Sequence, residues 1–158
     1  SAYFRTFGIE TVCLRFGDVY GPRSKRKGSV VAKFIRQALD GQPCVIYGDG
    51  TQTRDFIYIA DLLSAIELSL SKEGIGGETF QIATGRENTV SEVAGIIQSV
   101  LREHEVEMSI EYDAPRLGDV KRNFADTTKA RDVLGWVPKI PPEVGVSMTV
   151  DYFLGLGN

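Results

Sequence analysis

Apolar residues recur along this 158-residue chain at two spacings, one helical and one extended. Val30, Val31, Phe34, Ile35, Ala38 and Leu39 fall three and four positions apart, which gathers them on one face of a helix. Ser29 stands where an N-cap accepts from the free amides of a first turn, and Gly41 followed by Pro43 ends the run. A second helix carries Val93, Ile96, Ile97, Val100 and Leu101 on one face, and Thr89-Val90-Ser91-Glu92 opens it as a capping box. Leu62-Leu63-Ser64-Ala65-Ile66 predicts a third helix, with Asp61 as its N-cap. Asp126 caps a short helix ending at Gly135, and Pro141-Pro142 opens the last one, because a first helical turn does not need proline's missing N–H. Short apolar runs predict strands at 9–15, 45–47, 56–58 and 80–83, and Met108-Ser109-Ile110-Glu111-Tyr112 alternates as an edge strand does. Asp49-Gly50 tolerates the positive φ angles of a tight turn, so 45–47 and 56–58 are expected to fold back on each other as a hairpin. Strands and helices alternate throughout, which makes the chain mixed α/β.

Composition bounds the function more than the fold. Hydrophobic residues at 42% and charged residues at 25% are ordinary for a soluble globular protein, and a chain of this size buries roughly 68–70% of its unfolded surface. A net charge of −3 argues against generic nucleic-acid binding, which needs a basic surface to neutralise phosphates. A small phosphate-bearing ligand remains compatible, because it needs only local positive charge. No apolar run approaches the roughly 20 residues that span a bilayer and no secretory leader is visible, so the cytoplasm is the simplest compartment. Cys13 and Cys44 stand far apart and His104 is the only histidine, which leaves no spacing suited to a disulfide or a zinc site.

Three polar knots interrupt the amphipathic pattern. The first is Tyr47-Gly48-Asp49-Gly50-Thr51-Gln52-Thr53-Arg54-Asp55-Phe56, where Arg54 is either a solvated surface charge or a group presented to an anion. The second is Arg15-Phe16-Gly17-Asp18-Val19-Tyr20-Gly21-Pro22, and the third is Arg116-Leu117-Gly118-Asp119. A basic run, Arg23-Ser24-Lys25-Arg26-Lys27-Gly28, reads either as a solvated flexible loop or as a mobile lid whose charge draws in an anionic ligand.

Together with Gln81-Ile82-Ala83-Thr84-Gly85 and Leu134-Gly135-Trp136-Val137-Pro138, these knots resemble, in order and spacing, the C-terminal half of the extended short-chain dehydrogenases. That family comprises NAD-dependent nucleotide-sugar epimerases, dehydratases and decarboxylases, among them UDP-glucose 4-epimerases. The resemblance covers nearly the whole chain. It implies the C-terminal part of an extended Rossmann-type enzyme, in which 1–22 and 79–85 supply strands and loops to the Rossmann sheet. On the same basis 23–78 and 86–158 form a small α/β substrate lobe. The family's G-x-x-G-x-x-G loop and Tyr-x-x-x-Lys pair are missing, so no catalytic residue is assigned. Gly74-Ile75-Gly76-Gly77-Glu78-Thr79 reads as a loop between helix and strand, and Tyr112 has Arg116, not lysine, four residues on. By resemblance, 1–7 is the tail of the catalytic helix, and the NAD-binding half precedes it. NAD is then the cofactor of the parent enzyme, with none expected on this chain alone.

Position by position, the resemblance sends Arg54 and Arg116 to the diphosphate or ribose of a UDP- or dTDP-sugar, a role that the guanidinium fork suits on its own chemistry. Tyr47 borders the nucleobase or packs as a strand residue. The helix start from Val30 to Phe34 either borders the base or is core. Asp18 stands where the family has asparagine. An amide donates to phosphate, whereas a carboxylate only accepts and repels it, so Asp18 points to a sugar hydroxyl, a different sugar or lost activity. The reading that follows is the substrate-binding half of a sugar-nucleotide epimerase, dehydratase or decarboxylase. The alternative is a stand-alone sugar-nucleotide-binding or structural module. Two arginine–phosphate contacts and one base stack give about 4–9 kcal/mol gross, against an association cost of about 4 kcal/mol or more, which leaves such a module millimolar affinity or weaker over much of that range. Strands whose sheet partners lie elsewhere predict self-association through their open faces and edges.

Overall fold

The computed structural model describes residues 2–156. In chain order the elements are α1 (Ala2–Phe7), β1 (Cys13–Phe16), β2 (Asp18–Tyr20), α2 (Val30–Leu39), β3 (Cys44–Tyr47), β4 (Thr53–Arg54), β5 (Phe56–Tyr58), α3 (Ile59–Ser71), β6 (Thr79–Ile82), β7 (Asn88–Thr89), α4 (Val90–Glu103), β8 (Ile110–Asp113) and α5 (Pro142–Leu154). A single π-type turn, Ala130–Leu134, precedes α5. Ser1, the first residue of the expected leading helix, lies outside the described residues. No described helix is long and apolar enough to cross a membrane.

The helices form where their local signals are strongest. Thr89 Oγ1 accepts the Glu92 amide at 3.0 Å while the Glu92 carboxylate accepts the Thr89 amide at 2.7 Å, so the expected capping box opens α4. Helix α4 packs between α2 and α5, and the three bury Phe34, Ile35, Val93, Ile97, Leu101, Val146 and Val150 against Cys44 and Ile46 of β3. Ser29 takes the N-cap position of α2 without a side-chain cap bond.

A second core gathers Ile57, Leu62, Ala65, Phe80, Ile82, Leu134 and Trp136. Gly135, at φ 78°, closes the π-type turn and lets the Trp136 amide donate back to the Ala130 carbonyl at 3.0 Å. Trp136 is thereby driven inward, where its indole N–H reaches the Asp61 carbonyl at 3.0 Å and Ser64 Oγ at 2.9 Å. Asp61 does not cap α3. The helix starts two residues earlier, and Asp61 lies buried in its first turn, accepting the amides of Lys139 and Ile140 at 3.0 Å each. Its carboxylate therefore ties a distant segment to the helix rather than serving the helix's own amides.

The strands form four pairs. β1 runs parallel to β6 with Cys13 opposite Thr79, so the two strands that the resemblance assigns to one sheet do meet. The expected hairpin is absent. β3 pairs in parallel with β8 and β5 in parallel with β2, while the short β4 between them runs antiparallel to β7. The turn forms locally, with Gly48 and Gly50 at φ 77° and 76°, but the strands on either side of it find partners far away in sequence. The expected strand over 9–15 shortens to β1, whose four residues are the ones that pair with β6, and its end shifts by one residue.

Candidate functional site

The three polar knots converge on one face of the α2–β3 unit. Successive residues of a strand point to opposite sides, and the pair Arg54-Asp55 uses that rule. Asp55, 2% exposed, points inward and accepts the Thr84 amide at 2.7 Å, Thr84 Oγ1 at 2.6 Å, the Gly85 amide at 2.8 Å and the Ala125 amide at 3.3 Å. Arg54 is thus fixed facing the other way. Its guanidinium donates to the Asp119 carboxylate and the Val120 carbonyl at 2.5 Å each, and to the Thr53 carbonyl at 2.7 Å, bracing the loop that carries Arg116.

The preceding turn fixes the next wall. Asp49 accepts Thr51 N and Oγ1 at 3.0 and 2.6 Å, and the Gln52 amide group donates to the Tyr47 carbonyl at 2.9 Å. At Gly50 a Cβ would collide with Ser91 Oγ, so this turn needs glycine for space as well as for φ. Tyr47 is flanked by two cations: the Arg116 guanidinium lies 3.8 Å from the ring centroid and Lys33 Nζ 5.6 Å from it. Hydrogen bonding to Arg116, with the Arg116 and Lys33 charges adding, holds the Tyr47 phenol below the usual tyrosine range.

These groups bound a cavity of about 160 Å³ whose walls include Val30, Lys33, Phe34, Tyr47, Gln52, Arg54, Arg116 and Asp119. A neighbouring cavity of about 150 Å³ contains Asp18, Tyr20 and Ser29 and shares Gly28, Val30 and Arg54 with the first. On the outer side an open cleft of about 520 Å³ shares Tyr47, Gln52, Arg116 and Asp119 and adds Asp49, Asp113 and Lys121. Five of the six candidate residues therefore line one cavity, and the sixth, Asp18, lines its neighbour. Phe34, 2% exposed, is both core and wall of the first cavity, and Val31, 1% exposed, is both core and wall of the second. Desolvation raises the Asp18 carboxyl above the usual aspartate range, and the Arg54 and Lys27 charges oppose the shift only in part.

Lys33, Gln52 and Asp119 belong to the site and were not in the motif-derived set. Lys33 sits one helical turn after Val30, but that spacing alone does not separate a cavity wall from a solvated face. The basic run 23–28 keeps two of its charges away from the cavity: Lys25 lies 5.6 and 5.7 Å from the Tyr152 and Phe153 rings, and Lys27 Nζ donates to the Val19 carbonyl at 2.7 Å.

Chemically the arrangement sets three cations, Lys33, Arg54 and Arg116, beside acceptors at Asp18, Asp119 and Gln52, a set of groups suited to an anion that also carries donors. Among the described residues no group of three His, Cys, Asp or Glu side chains is placed to hold a metal ion. Gly74 and Gly77, at φ 73° and 82°, form a turn that leads into β6, whereas a dinucleotide pyrophosphate is received on a turn that leads from a strand into a helix.

The family model of the NAD dependent epimerase/dehydratase family matches residues 1–83. The chain is 36% identical to UDP-glucose 4-epimerase of Mycolicibacterium smegmatis over 153 residues, which is 96% of this chain and 48% of that protein. The UDP-glucose 4-epimerase of Thermotoga maritima, solved with UDP-glucose, superposes with a TM-score of 0.87 at 36% identity, covering 98% of this chain and 49% of that one. UDP-glucuronic acid 4-epimerase of Bacillus cereus, solved in complex with UDP-glucuronic acid and NAD, superposes with a TM-score of 0.86 at 29% identity, covering 98% and 48%. The chain spans about half the length of the curated relatives it matches.

Proposed function

Because the chain belongs to the NAD-dependent epimerase/dehydratase family, we propose that it is the nucleotide-sugar-binding half of an NAD-dependent enzyme that epimerises a UDP-sugar, or dehydrates or decarboxylates a related nucleotide sugar. One observation carries the reading: Val30, Phe34, Tyr47, Arg54 and Arg116 line a single cavity, and Asp18 lines the cavity that adjoins it through Arg54. The apolar wall and Tyr47 suit a base, and the guanidinium groups of Arg54 and Arg116 suit a diphosphate. In this reading the NAD site and the proton-transferring residues belong to the portion of the relatives that this chain does not span. The chain's own contribution is to hold and orient the nucleotide sugar.

Isothermal titration of the chain with UDP tests the reading. Saturable binding with a dissociation constant of about 1 mM is expected. Arg116→Ala weakens it about tenfold, the effect of one charge-assisted contact, and Arg54→Ala weakens it at least as much because it also frees the 116–120 loop. Affinity unchanged in both variants removes the site assignment.

A further inference from the structure

The loop after β8 is tied down at successive positions, and the ties come from two sides. Asp119 and Val120 accept from the Arg54 guanidinium, and the Lys121 carbonyl accepts the Thr53 amide at 2.9 Å. Arg122 is held from the other side. Its Nε and one Nη donate to the two carboxylate oxygens of Glu87 at 2.9 and 2.8 Å, a forked pairing that fixes the plane of the guanidinium as well as its position. Glu87 is placed in turn by the β4–β7 pair. Thr53 lies opposite Thr89 and Arg54 opposite Asn88, so Glu87 is the next residue beyond that ladder, and Thr53 Oγ1 donates to its carboxylate at 3.1 Å.

The tethered stretch leads directly to Arg116. The Asp119 amide donates to the Arg116 carbonyl at 3.2 Å and Gly118 takes φ 80°, so 116–119 is a closed turn in which Arg116 moves with Asp119. Arg54 is therefore a brace for Arg116 and a cavity wall at once. A phosphate that takes over donors now given to Asp119 and Val120 loosens the loop that carries the second arginine. Glu87 and Arg122 line neither of the two cavities beside Arg54 nor the outer cleft, so their pairing is untouched by that exchange.

We propose that Glu87 is a positioning residue of the nucleotide site: through Arg122 it holds the 116–122 segment, so that Arg116 keeps its place when Arg54 turns to the ligand. The inference rests on the nucleotide-sugar reading given above and adds to it a residue that acts without touching the ligand.

A double-mutant cycle of Glu87→Gln and Arg116→Ala, followed by NMR titration with UDP, tests the role. Glu87→Gln keeps the size of the side chain and removes the charged fork. Alone it is expected to weaken UDP about threefold, the scale of one partly exposed ion pair, and to leave the urea midpoint unchanged. In the Arg116→Ala background the same substitution is expected to change UDP affinity by less than about 1.5-fold, because the residue through which it acts is gone. The Tyr47 ring signals report the cause: Glu87→Gln raises their titration midpoint part of the way that Arg116→Ala does, since a looser Arg116 spends less time on the ring. Wild-type affinity in Glu87→Gln, or an equal loss with and without Arg116, overturns the positioning role and leaves the nucleotide site standing. A lowered urea midpoint with an unmoved Tyr47 midpoint also overturns it, because Glu87 then serves stability alone. If the wild type does not bind UDP, or if Arg54→Ala and Arg116→Ala both bind it as the wild type does, the nucleotide-sugar reading itself fails and takes the positioning role with it.

Discussion

Arg54 and Arg116 share a residue type but differ in what holds them. Arg54 has three of its N–H groups committed to Asp119, Val120 and Thr53, which leaves two of five for a ligand. Arg116 instead lies over the Tyr47 ring, hydrogen-bonds its phenol and has no carboxylate partner among the described residues, so most of its donors remain available. The stack has a spectroscopic signature. The Tyr47 ring signals in NMR are expected to titrate below the range of an unperturbed tyrosine, and Arg116→Ala is expected to move the midpoint upward because it removes the largest cause of the shift. An identical midpoint in the variant would mean that the two groups do not meet in solution. Asp18, Tyr47, Arg54 and Arg116 stood out as candidates in the sequence because each belonged to a short polar motif, whereas Val30 and Phe34 came only from the position of a helix start. Lys33 did not stand out, since a single lysine on an amphipathic helix has no local mark that separates a cavity wall from a solvated face. Only the fold brings it beside Tyr47.

Element by element, the helices were readable because their signals are local. The capping box of α4, the apolar stripe of α2 and the proline start of α5 each lie within a few residues of what they determine. The strands were readable as strands but not in their pairing. Asp49-Gly50 makes its turn, yet β3 takes β8 and β5 takes β2, choices set by partners that no local pattern names. Asp61 was misread for the same reason, since the amides it serves lie 78 and 79 positions further along the chain. Asp55 is the element-scale counterpart, where one carboxylate joins the β4–β5 segment to the loop after β6 and to the approach to Asp126. Asp55→Ala leaves these donors unpaired and is expected to cost about 3 kcal/mol in urea unfolding, whereas Asp49→Ala, on an exposed turn, costs about 1 kcal/mol or less. Equal losses in the two variants would show that burial of the Asp55 carboxylate does not matter to the fold.

At the scale of the molecule, the two cores lie on a chain that leaves one side open. Helix α1 buries none of its residues, with Tyr3 and Phe7 exposed by 64% and 67%, and Phe16 of β1 is exposed by 52%. Among the described residues β1 and β6 pair only with each other, so each presents an outer edge without a strand partner there. The chain studied alone is therefore expected to self-associate through this side, and sedimentation velocity over a tenfold concentration range should show a rising mean mass. A concentration-independent monomer would contradict the expectation. Substituting Tyr3 and Phe7 by serine should lower the mass if α1 takes part.

Trp136, buried under α3, is the only tryptophan of the chain. Its indole touches Asp61 and Ser64 and belongs to the core around Phe80, not to the one behind the cavity lined by Tyr47 and Arg54. Intrinsic emission from this protein is accordingly a gauge with one viewpoint. Tryptophan emission reports the Leu62–Phe80–Leu134 cluster, whereas circular dichroism reports all the helices, α2, α4 and α5 included, so an emission midpoint that departs from the circular-dichroism midpoint in the same sample would show the two clusters melting separately.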